Sequence, residues 1–202
     1  MNRAWVLAAA LLAFGTAPAQ DKAQSIASQT CAACHAADGN SVAPANPKIA
    51  GQVSEYLQKQ LTDFKAQAGK KPARESAVMN GMVANLSEAD MKALASFYAG
   101  QALKPAVASD KTLAGQGQKL WRGGDAALGV PACAGCHGPN GAGIPAQYPR
   151  LAGQFSEYVA SQLKAFKEGG RENDPNGMMR AVAARLTEQQ IRAVAEYVAG
   201  LR

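Results

Sequence analysis

This sequence predicts an all-α chain of two tandem domains, and three observations predict it. The first is internal duplication. Pro47 to Lys65 (PKIAGQVSEYLQKQLTDFK) aligns without gaps to Pro149 to Lys167 (PRLAGQFSEYVASQLKAFK) with eleven of nineteen positions identical. Repetition at a fixed offset is the mark of a repeated structural unit. The second is a helical recurrence of apolar residues in both copies, with no alternating strand pattern to compete with it. The third is composition: aromatic residues make up only 6% of the chain, and alanine is abundant, as suits small helical domains.

The elements follow in order. Arg3, the apolar run Ala4 to Phe14 and the small-x-small run Ala17-Pro18-Ala19 read as a cleavable secretory leader over 1–19. The apolar run is shorter than the ~20 residues a membrane span needs. With no cysteine at the cleavage site, a lipid anchor there has no support. The mature chain then starts at Gln20. A short helix from about Lys22 runs into Cys31-Ala32-Ala33-Cys34-His35. Val53, Leu57, Leu61 and Phe64 mark a middle helix, matched by Phe155, Val159, Leu163 and Phe166. The last helix of each half opens on a capping box, Ser87-x-x-Asp90 or Thr187-x-x-Gln190. Its apolar face is Met91, Leu94, Ala95 and Tyr98, or Ile191, Val194, Ala195 and Val198. Gly100 and Gly200 stand where C-terminal caps belong.

The domains are therefore placed at 20–100 and 111–202, joined by a linker at 101–110 that contains Lys104-Pro105. The second half adds an insert, Arg122 to Pro131, ahead of its Cys133-Ala134-Gly135-Cys136-His137. The cysteine motifs and the middle helices repeat at an offset of 102 and the last helices at 100, so the loop between them differs by two residues.

Those two pentapeptides hold every cysteine and histidine in the chain. A C-x-x-C-H run is the attachment signature of c-type haem: two thiols add across the vinyl groups, and the adjacent imidazole is placed to bind the iron. A disulfide framework, a shared zinc site and a pair of redox dithiols are the competing readings of four cysteines. None of them explains why histidine follows both pairs at once. Two haem c groups are expected, held by Cys31, Cys34, Cys133 and Cys136, with His35 and His137 as axial iron ligands.

With histidine exhausted, a methionine thioether is the best remaining iron ligand. Counted back from the shared last helix, Met91 pairs with Ile191, Met82 with Val182 and Met178 with Val78, whereas Met79 alone pairs with a methionine, Met179. A role required twice should appear twice, so Met79 and Met179 are the expected sixth ligands, in irregular segments, with Met82 and Met178 as the fallback pair. The carbonyls of Pro47 and Pro149, twelve residues beyond their histidines, are candidate acceptors for the imidazole Nδ1–H, though a plain turn also accounts for these prolines. Tyr56 with Tyr158 and Phe64 with Phe166 are expected as haem-pocket walls. Each half is small and poor in apolar side chains, so the haem-free chain should fold badly.

The formal charge of +6 becomes +5 once Arg3 is removed. Haem propionates and ferric iron bring the oxidised protein to about +3, with the basic residues scattered, which argues against nucleic-acid binding. With both imidazoles committed, no Ser/His/Asp constellation can form.

CAACHAADGNS with PKIAGQ, and RGGDAALGVPACAGCHGPNGAGIPAQYPRLAGQ with NGMMR, resemble the cytochrome c4 family over essentially the whole mature chain. The resemblance implies two tandem class I cytochrome c domains, each wrapped around one covalently attached haem c. They would be related by an approximate two-fold axis, with the haems facing the interface. It implies low-spin His35/Met79 and His137/Met179 irons. It also implies a periplasmic electron carrier, loosely held at the inner membrane, running from a cytochrome bc complex to terminal oxidases or reductases. A monomer is expected. A two-haem peroxidase is the enzymatic rival, and a dedicated subunit of a dehydrogenase or oxidase is the second. The peroxidase would need an open distal face and a nearby acid–base group, whereas both halves offer a methionine and neither offers a spare histidine.

Overall fold

The computed structural model describes residues 17–202, with side chains from Gln20 onward. The predicted leader therefore lies outside the described residues, apart from its last three, which open the first helix. The helices are α1 (Ala17–Ile26), α2 (Ala32–His35), α3 (Ser54–Phe64), α4 (Ala77–Val83) and α5 (Glu88–Ala99) in the first half. In the second they are α6 (Lys111–Gly123), α7 (Ala134–His137), α8 (Ser156–Glu168), α9 (Met178–Ala183) and α10 (Glu188–Gly200). Among the described residues the only β-type pairings are three isolated bridges. No helix there is long and apolar enough to cross a membrane.

The first helix starts earlier than its apolar pattern suggests and does not stop before the cysteines. A wide π-helical turn, Ala27–Cys31, joins α1 to α2 with right-handed helical backbone on both sides. Such turns are rare and gather at functional sites. The second half lacks this continuity because its insert intervenes: Asp125 and Val130 exchange backbone hydrogen bonds of 2.8 Å in both directions, closing a small loop between α6 and α7.

In each half the last helix is the platform. α1 and α3 pack on α5, and α6 and α8 pack on α10. The first core is Ala23, Ala27, Leu57, Leu94, Ala95 and Tyr98. The second is larger, centred on fully buried Trp121 and Ile191 with Leu120, Val130, Val194 and Val198. Gly117 lets α6 and α10 approach almost backbone to backbone: a Cβ there would lie 2.0 Å from the Ala193 carbonyl oxygen. Both capping boxes are present, with Ser87 accepting from the Asp90 N–H and Thr187 from the Gln190 N–H.

Of the two expected glycine caps, Gly100 does cap α5, in a right-handed conformation (φ −79°), whereas Gly200 is a correction: α10 runs through it to a cap at Leu201. A left-handed cap is unnecessary because the terminal carbonyls find other donors. Gly51 N–H donates to Tyr98 O, and its counterpart Gly153 N–H donates to Val198 O, both at 2.9 Å. Gly200 instead makes room for the segment joining the halves, since a Cβ there would meet the Ala108 Cβ at 3.0 Å. That segment is tied to both sides. Asn40 donates to Ala102 O and accepts from Lys104 N–H, and the buried Glu196 carboxylate accepts from the backbone of Ser109 and Asp110.

Candidate haem-binding site

In each half the chain brings two thiols and one imidazole to the end of a short helix. Cys31 and Cys133 are half-buried, Cys34 and Cys136 are exposed, and none is joined in a disulfide. His35 and His137 are buried. His35 Nδ1 lies 2.9 Å from the Pro47 carbonyl oxygen and His137 Nδ1 lies 3.0 Å from that of Pro149. A carbonyl can only accept, so each Nδ1 carries the proton and each Nε2 presents a lone pair. Burial lowers both imidazole pKa values, against the opposing pull of the carbonyl, which keeps the rings neutral as metal ligation requires. Around His137 the indole of Trp121 stands 6.3 Å away and Tyr148 meets the ring edge-on at 6.2 Å.

The thiols argue against the competing readings. Burial raises the Cys31 pKa, opposed in part by the Tyr98 hydroxyl, and pushes Cys133 up to about 11. At these two buried positions the shift is opposite to the lowered pKa of a nucleophilic thiol. Among the described residues no three His, Cys, Asp or Glu side chains gather as they would around a shared zinc ion.

Met79 and Met179 are both half-buried. They stand on the short helices α4 and α9 and not in irregular segments, a second correction to the expectation. Ser76 caps α4 by accepting from the Met79 N–H, and Asn80 ties it down by donating to Phe64 O and Arg74 O. In α9, Asp174 accepts from both the backbone and the guanidinium of Arg180. α4 packs on α3 and α9 on α8, so each methionine is carried by the middle helix of its half. Of the fallback pair, Met82 is exposed and Met178 half-buried, while Met91 is buried in the core.

The two halves meet through reciprocal polar contacts. Gln154 accepts from Lys48 N–H (2.9 Å) and donates to Lys48 O (2.8 Å). Gln52 accepts from Arg150 N–H (2.7 Å) and donates to Arg150 O (2.9 Å). Beside this clasp lies a cluster that sequence reasoning missed. Arg74 donates to Gln60 in its own half and to Tyr158 and Gln162 in the other. Arg171 donates to Gln162 in its own half and to Tyr56 and Gln60 in the other. Each guanidinium also covers a phenylalanine, Arg74 at 4.5 Å from the Phe64 ring centre and Arg171 at 4.4 Å from that of Phe166. The two arginines are 97 positions apart, matching neither offset, so alignment could not pair them. The available signal was that Arg74 is the sole arginine between residues 20 and 100. Tyr56 and Tyr158 thus turn their hydroxyls to this cluster. Burial alone would raise the Tyr56 phenol, but Arg171 and Arg74 beside it bring it below its ordinary value.

The donor set fits haem c. Two thiols, an imidazole with Nε2 free and a half-buried thioether recur in each half. At the interface Arg150 Nε is buried without a partner, where an anionic carboxylate would satisfy it.

The comparisons agree with this reading. The family model for cytochrome c matches residues 20–100 and again 114–202. A cytochrome c4 from Azotobacter vinelandii is 49% identical over 180 residues, covering 85% of this chain and 84% of that one. A thiosulfate dehydrogenase electron acceptor from Thiomonas intermedia (strain K12) is 40% identical, covering 96% of this chain and 89% of its own. The crystal structure of reduced recombinant cytochrome c4 from Pseudomonas stutzeri superposes with a TM-score of 0.84 at 42% identity, covering 91% of this chain and 98% of that chain.

Proposed function

The chain belongs to the cytochrome c family and, within it, to the two-haem cytochrome c4 group, and from that premise we propose a periplasmic electron carrier whose irons are both His/Met-ligated. Two covalently bound haem c groups follow from the two family domains and their cysteine pairs, and electron transfer is the work of the family. When bound, each haem supplies a one-electron ferric–ferrous couple. The protein's part is to hold that couple closed. Cys31 and Cys34, or Cys133 and Cys136, anchor the group. His35 or His137 would supply an imidazole nitrogen to the iron, with its ring fixed by Pro47 or Pro149. Met79 or Met179 would supply a thioether sulfur, which favours the ferrous state and raises the potential. With both faces filled, no position is left to activate a small molecule, which weighs against a peroxidase.

The observation that carries this reading is that the histidine–carbonyl clamp occurs twice, with one duplicated methionine available to each copy. The leader at 1–19 supports export, and the partners are read as a cytochrome bc complex and terminal oxidases or reductases. The relative that accepts electrons from thiosulfate dehydrogenase favours a second reading, in which a dehydrogenase is the donor. Reduction of the purified holoprotein by quinol plus isolated bc complex, compared with thiosulfate plus its dehydrogenase, separates the two. The first reading expects fast, saturable reduction in the first arm and reoxidation by oxidase-containing membranes. Reduction in the second arm alone would overturn it.

A further inference from the structure

Each axial histidine is connected to the opposite half through a single peptide group. His35 Nδ1–H donates to the carbonyl of the Pro47–Lys48 peptide, and the N–H of that same peptide donates to Gln154 Oε1. His137 Nδ1–H donates to the Pro149–Arg150 peptide, whose N–H donates to Gln52 Oε1. Both glutamines are buried at 8% exposure. Their remaining contacts are Phe155 N–H and Lys48 O for Gln154, and Val53 N–H and Arg150 O for Gln52.

We propose that Gln52 and Gln154 are crossed positioning residues, each setting the iron-donor strength of the histidine in the other half. An acceptor on a peptide N–H polarises its carbonyl, because hydrogen bonds in a chain strengthen one another by an estimated 10–30% per bond. A more negative carbonyl draws the Nδ1 proton further from the ring, and the imidazole becomes a better donor through Nε2. Better donation favours ferric iron and lowers the potential. Docking of the two halves is therefore part of each haem's ligand field: Gln154 acts on the His35 haem and Gln52 on the His137 haem. The geometry makes the effect reciprocal, since Lys48 and Arg150 occupy equivalent positions, as do the two glutamines.

The inference rests on His35 and His137 being axial ligands, and the wild type tests that separately: a low-spin ferric spectrum from both haems is required before any variant is compared. The experiment is a redox titration of intact holoprotein followed by NMR, with haem resonances assigned to each half. Gln154→Met removes the acceptor at nearly constant volume. It should favour the ferrous form of the His35 haem by about threefold, about 28 mV at 59 mV per tenfold for one electron, leaving the His137 haem within a small fraction of that. Gln52→Met should do the converse. Gln154→Glu keeps a stronger, charged acceptor and should move the His35 haem to lower potential, by more than the His137 haem. A shift confined to the variant's own half, an equal shift of both haems, or no shift in either would overturn the proposal. If the Met variants fail to fold, the Glu variants decide by the same crossed criterion.

Discussion

At the scale of single residues, the proposed chemistry is concentrated in few side chains, and the sequence alone names most of them. The CxxCH runs announce themselves, and exhaustion of histidine sends the search to methionine. Duplication then singles out Met79 and Met179. For the prolines the sequence offers both a carbonyl acceptor and a plain turn, and the 2.9 and 3.0 Å contacts decide for the acceptor. Arg74 and Arg171 were not legible, because they sit in loops of unequal length where no register relates them. Their partnership exists only in three dimensions. Replacing Met79 or Met179 by alanine should remove the weak sulfur–iron absorption of one haem and leave its covalent attachment intact. The potential of that haem should fall by on the order of 100 mV, a fraction of the ~0.8 V range that axial ligands command. Loss of the absorption in Met82→Ala and not in Met79→Ala would show the assigned register to be wrong.

At the scale of elements, caps and close approaches explain why the short helices hold. The Asp90 carboxylate is pulled down to about 2 by Lys22 on α1 and by the Ser87 hydroxyl and N–H. It therefore ties α1 to α5 as well as closing the capping box. A carboxylate whose folded pKa lies below its ordinary 3.8 adds stability above that ordinary value and loses it as pH falls through the folded one. Asp90→Asn should cost the first half about 1 kcal/mol near neutral pH, the usual scale of a lost cap. The gap to wild type in a thermal melt should shrink between pH 3.8 and about 2. A gap that widened in acid would contradict this. Gly117→Val places a side chain where the α10 backbone already stands. It should cost about 3 kcal/mol or more, the upper end for overpacking, visible as early melting of the second half alone. The helix positions were readable from apolar periodicity. The π-helical turn and the helical setting of the methionines were not, since both depend on what the neighbouring chain satisfies. The same holds for the caps: Gly51 and Gly153 fill the terminal carbonyls from a distance of some fifty residues, which no local pattern encodes.

At the scale of the whole molecule, the two halves meet through reciprocal glutamine–backbone contacts. Four such contacts and the two guanidinium groups of one cluster cross the interface. Each net hydrogen bond contributes about 1 kcal/mol, so the interface stays docked only if the halves themselves are well formed. The first core, half of it alanine, is expected to make that dependent on haem. A haem-free preparation should show no cooperative melt, and a native-like cooperative transition in its calorimetric scan would refute the expectation. On the proposed reading, two covalently held haems in one docked unit would form a relay that cannot shed its cofactors, and closed coordination would confine it to moving electrons. The most direct test of that claim is a spectroscopic redox titration of the purified holoprotein with the ferric spectrum recorded throughout. The account predicts two one-electron haems, both low-spin, both showing sulfur–iron absorption and neither binding carbon monoxide when reduced. A high-spin band from either haem, or ready uptake of carbon monoxide by it, would contradict the account.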